Sequence, residues 1–130
     1  MRTDELDRLA QESFLSLTTF RRTGEGVSTP MWVARDGDLL VMTTVAASGK
    51  VKRLRNDARV ELRPCDRRGT VAPGAVTTPA AAEVVTAAPD VERHTATLRA
   101  KYGFQFTAML AAERIIARGR KRERVILRLS

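Results

Sequence analysis

Residues 43–58 read Thr-Thr-Val-Ala-Ala-Ser-Gly-Lys-Val-Lys-Arg-Leu-Arg-Asn-Asp-Ala, and the change of pattern inside them decides the fold. The stretch opens as the end of an apolar strand, Leu39-Leu40-Val41-Met42. It breaks at Ala47-Ser48-Gly49 and restarts with helical spacing, Val51, Leu54 and Arg55 sharing one face. Ser48 suits a helix N-cap, because its hydroxyl can accept a bond from a free first-turn N–H. Lys50, Lys52 and Arg53 then crowd the first turn, where the helix dipole already places partial positive charge. Two readings stay open. A bound phosphate would gather the first-turn amides, the Ser48 hydroxyl and the Lys50 ammonium around itself. A solvated basic helix needs no ligand.

Outward from this stretch the chain alternates short strands with turns. Acids in the first turn and Leu6, Leu9 and Ala10 on one side predict a helix over 4–13. Residues 14–20 (Phe-Leu-Ser-Leu-Thr-Thr-Phe) predict a strand, and 23–26 a turn. A second strand is expected over 27–35, with Pro30 marking an edge or a bulge. Asp36-Gly37 signals a hairpin turn into strand three, 39–44. Strand four follows the basic helix at 59–63, and residues 71–79 are ambiguous. Strand five is expected over 80–86. A helix follows, capped by Asp90 and ended by Gly103 in the left-handed position. Residues 104–118 are helical in pattern, Gly119 breaks them, and 124–130 form the last strand. The expected fold is mainly β with flanking helices. Six strands with early hairpins and a late return favour a barrel over an open sheet.

The length of 130 residues suits a single domain, 1–130, and 43% hydrophobic residues suffice for a core that few aromatics (5%) make aliphatic. Lys plus Arg number 23 against 15 acids, so the net charge of +8 asks for an acidic partner: nucleic acid, anionic membrane or a phosphorylated small molecule. Cys65 and His94 are each the only one of their kind, which rules out an intrachain disulfide and a typical zinc site. No metal is expected. A lone cysteine fits a reducing cytoplasm. No apolar run approaches the ~20 residues of a membrane span, and Met1–Glu5 has no signal-peptide character.

Catalytic machinery is nearly absent. Nucleophile elbows, zinc-protease motifs, P-loops and dinucleotide fingerprints are all missing. An enzyme built from this chain would need a cofactor to carry the reaction. Trp32 reads as packing or as a wall against a flat ring, and Lys101-Tyr102-Gly103-Phe104 reads the same way. The basic run 118–124 reads as a solvated turn or a contact for an acidic tail.

Several pieces together resemble a known family. Residues 26–33 (Gly-Val-Ser-Thr-Pro-Met-Trp-Val), the Asp-Gly hairpin, Thr43-Thr44 and residues 48–60 (Ser-Gly-Lys-Val-Lys-Arg-Leu-Arg-Asn-Asp-Ala-Arg-Val) resemble the flavin split-barrel proteins. Within these, the likeness is to the pyridoxamine-phosphate-oxidase-like branch that uses the deazaflavin coenzyme F420. Residues 62–69 and 98–105 resemble a small subfamily of about this length. The resemblance implies a six-stranded split β-barrel that binds FMN or F420, forming a homodimer with cofactor at the interface. It implies that Ser28, Thr29, Pro30, Met31 and Trp32 lie along the ring system. Thr43 and Thr44 would contact the ribityl chain and phosphate. Ser48, Gly49 and Lys50 would hold the phosphate, with Lys52 and Arg53 beside them. Ala58 departs from the proline the family often carries there.

The expectation is therefore a cytoplasmic F420-dependent oxidoreductase, in which reduced deazaflavin passes a hydride to a small electron-poor unsaturated molecule. No side chain stands out as catalytic proton donor, Tyr102 being the weak candidate. The alternatives are an FMN enzyme of the same fold and a binding protein that holds a cofactor or haem-like ring without turnover. A nucleic-acid binder, suggested by charge alone, lacks a recognition motif. No nucleic acid and no membrane partner are expected.

Overall fold

A computed structural model describes residues 1–116 and 123–130. The end of the expected helix at 117–118, the Gly119 break and the basic run as far as 122 lie outside the described residues. The elements run α1 (Thr3–Ala10), β1 (Leu15–Phe20), β2 (Gly26–Met31), β3 (Ala34–Asp36), β4 (Leu39–Val45), α2 (Gly49–Asn56) and β5 (Arg59–Pro64). They continue with β6 (Thr78–Val85), α3 (Ala88–Tyr102), α4 (Phe104–Ile116) and β7 (Arg124–Leu129).

All strands join one antiparallel sheet in the order β2-β1-β5-β6-β7-β4-β3. The sheet has seven strands, where the sequence led to six. The extra strand comes from the stretch 27–35, which is two strands rather than one. β2 ends at Met31, β3 begins at Ala34, and the two occupy opposite edges of the sheet. Only Trp32 and Val33 separate them, and three peptide units span at most ~11 Å. The two edges must therefore come that close at this point, which forces the sheet to curl on itself. No ladder joins β2 to β3, so the curl stays split. Pro30, lacking an N–H, sits on the edge strand β2, where a missing donor does least harm.

Two cores explain the strand patterns. Inside the curl, Leu15, Leu17, Met31, Leu40, Met42, Val60, Leu62, Leu127 and Leu129 pack with Leu6 and Leu9 of α1 and Leu54 of α2. On the outer face, Ala34, Val41, Val85 and Ile126 pack under Leu98 of α3 and Phe106 of α4. β4 and β7 are covered on both faces and so read as near-continuous apolar runs, while edge strand β2 alternates.

Three local expectations change. The α3 cap is Ala87, and Asp90 lies in the first turn beside Pro89, where its charge still meets the helix dipole favourably. Gly103 has φ 59 but ψ −131, not the left-handed pair. Its N–H closes α3 on the Arg99 carbonyl, and its own carbonyl accepts the Phe106 N–H that starts α4. The β3–β4 loop is Gly37-Asp38, following the paired Asp36 and Leu39. Gly37 there has φ +63, and a Cβ would touch nothing within 4 Å. Gly37→Ala should thus cost only the left-handed backbone penalty, about 1–2 kcal/mol, read as a lower urea midpoint at unchanged slope.

Candidate functional site

The site is built where β4 turns into α2. Ser48 occupies the N-cap position with extended backbone, φ −68 and ψ 155. Its hydroxyl makes no capping bond, contrary to the expectation from its type; the nearest polar partner is the Thr44 hydroxyl at 3.5 Å. The first-turn amides are left without that acceptor. Beside them a shallow hollow of ≈ 600 Å³ is lined by Thr44, Val45, Ala46, Ala47, Ser48, Lys50 and Glu123.

Lys50 is half-buried and, among the described residues, has no ion-pair partner. Burial pushes its ammonium below the usual lysine range, and the nearby charges of Arg53 and then Arg124 push it the same way. Arg53 is turned back across α2, its Nε donating to Thr19 Oγ1 of β1 at 2.7 Å. A Cβ on Gly49 would meet Arg53 Nη1 at 2.9 Å, so glycine lets the guanidinium lie over the helix start. Among the described residues Lys50 and Arg53 have no carboxylate against them, so their like charges raise each other's energy, which a bound anion would relieve.

The expected site residues are only partly brought together. Ser48, Gly49, Lys50 and Arg53 cluster, while Lys52 is exposed one position round the helix. Thr43 and Thr44 point to opposite faces of β4, as strand alternation requires. Thr44 turns to Ser48, whereas Thr43 donates to the Val125 carbonyl at 3.4 Å and accepts from Arg124 Nε at 3.2 Å. Ser28 lies on the exposed outer face of β2, its hydroxyl 2.6 Å from that of Thr18. Thr29 points the other way, its buried Oγ1 without a hydrogen-bond partner. Pro30 is exposed and Met31 is core. β1 stands between the two halves of the expected site: Thr18 holds Ser28 on one face, and Thr19 holds Arg53 on the other.

Trp32 stacks on Tyr102 with ring centroids 4.5 Å apart and planes at 15°, and Phe14 meets its edge at 6.5 Å. Tyr102 is a structural pin. Its hydroxyl accepts the Val33 N–H at 2.9 Å and donates toward the Ser13 and Val33 carbonyls at 2.8 and 2.9 Å. Burial raises its pKa against the opposing Val33 hydrogen bond, so it is a poor source of protons at neutral pH. Lys101 beside it donates to the carbonyls of Ala10, Glu12 and Val33 at 2.8, 2.6 and 2.7 Å, using all its donors.

Local reading placed Arg124 in a basic run that is either a solvated turn or a contact for an acidic tail; nothing near it in sequence ties it to Thr43 or Glu113. A second hollow of ≈ 470 Å³ lies at the far end of α2, near Phe20, Arg22, Asn56 and Arg59. Its arginines are already engaged: Arg59 with Asp57 and over the Phe20 ring, Arg22 with Asn56. Among the described residues no group of three or more His, Cys, Asp or Glu could hold a metal ion. Among the described residues no helix is long and apolar enough to cross a membrane.

The Lys50 charge state gives a pH prediction. An anion bound at Lys50 favours the protonated amine and so raises its pKa above that of the free site. Affinity is then fully present below the free-site pKa and is lost as pH rises through it. Phosphate affinity should therefore fall across the alkaline range below the ordinary lysine pKa, ahead of an ordinary lysine. Titration calorimetry across that range checks this, with Lys50→Arg abolishing the fall.

Residues 3–128 match the family of pyridoxamine 5'-phosphate oxidase. No curated protein matches the chain in sequence. Among solved structures, a conserved hypothetical protein from Mycobacterium tuberculosis is similar with TM-score 0.68 and 23% identity, over 98% of this chain and 79% of that one. A heme storage protein from Vibrio cholerae gives TM-score 0.68 at 13% identity, over 100% and 90%. An F420 reductase gives TM-score 0.61 at 19% identity, over 95% and 90%. At these identities the likeness is one of fold.

Proposed function

The chain belongs to the pyridoxamine 5'-phosphate oxidase family, and from that premise we propose that it is an F420-dependent oxidoreductase. One observation carries the reading: Lys50, half-buried beside Arg53 and Arg124, without a counter-ion among the described residues. That arrangement, next to open first-turn amides, fits a phosphate. Lys50, Ser48 and the amides after it would hold the phosphate, with Gly49 letting Arg53 lie close. Thr44 would orient the Ser48 hydroxyl. The strand Ser28–Trp32 would lie along the ring system, and Lys52 would face acidic groups beyond the phosphate. The chemistry the cofactor would supply there is a hydride from reduced deazaflavin, for a small electron-poor unsaturated substrate. No described side chain is assigned as proton donor, and Tyr102 is withdrawn from that role by its backbone bonds.

The working form is a cytoplasmic homodimer. Phe104, Ile115 and Ile116 of α4 are 83, 78 and 77% exposed, which supports an apolar contact with another copy. Light scattering at low micromolar concentration should give twice the chain mass, and a folded monomer that binds cofactor would count against it. The test of function is fluorescence titration of the purified protein with F420 and with FMN, followed by turnover with reduced F420. Tighter FMN binding would transfer the reading to an FMN enzyme of the same fold. Binding of either without turnover would make it a carrier.

A further inference from the structure

Arg53 is anchored from outside the stretch that carries the candidate site. Thr19 of β1 is fully buried, and its hydroxyl accepts the Arg53 Nε–H at 2.7 Å. Arg53 is that hydroxyl's one hydrogen-bond partner among the described residues. Valine would serve packing at such a strand position, so the hydroxyl adds only the bond to Arg53. The Arg53 side chain runs back toward the start of α2, as helical side chains do. A Cβ on Gly49 would lie 2.9 Å from Nη1, 3.7 Å from Cζ and 3.8 Å from Nη2. The guanidinium therefore lies along the first residue of the helix. Among the described residues Nη1 and Nη2 make no hydrogen bond, and no carboxylate pairs with Arg53. With Nε tied, the free edge is the Nη1/Nη2 pair, which matches two oxygens of a phosphate.

We propose that Thr19 is a positioning residue of the anion site: its hydroxyl holds Arg53 so that the Nη1/Nη2 edge faces a phosphate at the start of α2. The inference rests on the anion reading of Ser48 and Lys50 given above. A free arginine side chain samples many rotamers, and holding it in advance lowers the ordering cost at binding. Gly49 supplies the room for the guanidinium at the helix start, where a side chain would push it away. The Arg53 charge is felt there, since after burial it is the next influence lowering the Lys50 pKa. A staple that merely fastened α2 to β1 would use the same Thr19 bond. It would need neither the open position at Gly49 nor an Nη edge left without a carboxylate.

The experiment titrates the full chain with F420 and with the same deazaflavin cut back to its ribityl group, which has no phosphate. Thr19→Val keeps the shape of the side chain and removes the hydroxyl. It is expected to weaken F420 by about fivefold, and the truncated deazaflavin by about twofold at most. Thr19→Ser keeps a hydroxyl and should keep the native affinity. Gly49→Ala introduces a better helix former, so stability to urea should hold or rise. Its Cβ displaces the flexible end of Arg53, so F420 should weaken by about as much as in Thr19→Val. In an Arg53→Gln background both substitutions should lose their effect, because the group they position is gone. Full F420 affinity in folded Thr19→Val and Gly49→Ala, or undiminished effects in the Arg53→Gln background, would overturn the proposal and leave a staple between α2 and β1. Should Thr19→Val fail to fold, Gly49→Ala with and without Arg53→Gln decides the matter. If Lys50→Ala weakens F420 while these variants do not, only the Thr19 proposal falls. If the native chain binds F420 no better than the truncated form, or binds neither, the anion reading falls with it.

Discussion

Lys50→Ala is expected to weaken binding of F420 or FMN by at least tenfold while the folded protein keeps its stability or gains slightly. The binding loss follows from removing a charge-assisted contact to a phosphate, about 1.5–3 kcal/mol. The stability result is the more diagnostic half. Lys50 lacks a counter-ion among the described residues and is held below the lysine range by burial, Arg53 and Arg124. Removing such a cation relieves repulsion in the empty protein. Because Lys50 is only half-buried, solvent screening limits that gain to about 1 kcal/mol or less. Fluorescence titration and urea unfolding read the two halves separately. A variant that loses both binding and stability would mean that Lys50 supports the fold. A variant that loses neither would leave α2 as a solvated basic helix.

The second large effect belongs to Tyr102, and it falls on stability. Tyr102→Ala should cost about 3–5 kcal/mol, the range for removing a large aromatic from a packed site. The ring stacks on Trp32, which lies against the outer core around Phe106. Tyr102→Phe keeps that stack and removes only the hydroxyl, leaving the Val33 N–H without its partner. It should cost about 1–3 kcal/mol. Both variants strike the crossover between β2 and β3, so amide exchange should rise first at Val33 and its neighbours. If Tyr102→Phe is fully stable but loses turnover with reduced F420, then the hydroxyl acts in chemistry and the pin is incidental.

These two residues mark the division between local and tertiary information. The candidate anion cradle could be read locally because its parts are contiguous. Ser48, Gly49, Lys50 and Arg53 fall within six consecutive positions, the N-cap and the start of the helix, and helix geometry alone brings them to one end. The fold class was legible for a similar reason. Alternation, the Asp-Gly hairpin and the positions of Pro30 and Gly103 each record a backbone demand made within a few residues.

What the sequence could not carry is which distant strand lies beside which. The run 27–35 looked continuous because each of its halves suits a strand, and nothing local says that the chain crosses from one edge of the sheet to the other at Trp32-Val33. Thr43 and Thr44 looked like one site, but a strand sends neighbours to opposite faces. Only the surrounding packing shows that one face meets α2 and the other Arg124. Tyr102 reaches Val33 across 69 positions, and Arg124 reaches Thr43 across 81. In sequence each is one polar residue among many. The ladder β4–β7 and the seat of α3 give each its distant partners, because side-chain partners so far apart are chosen by the closure of the sheet.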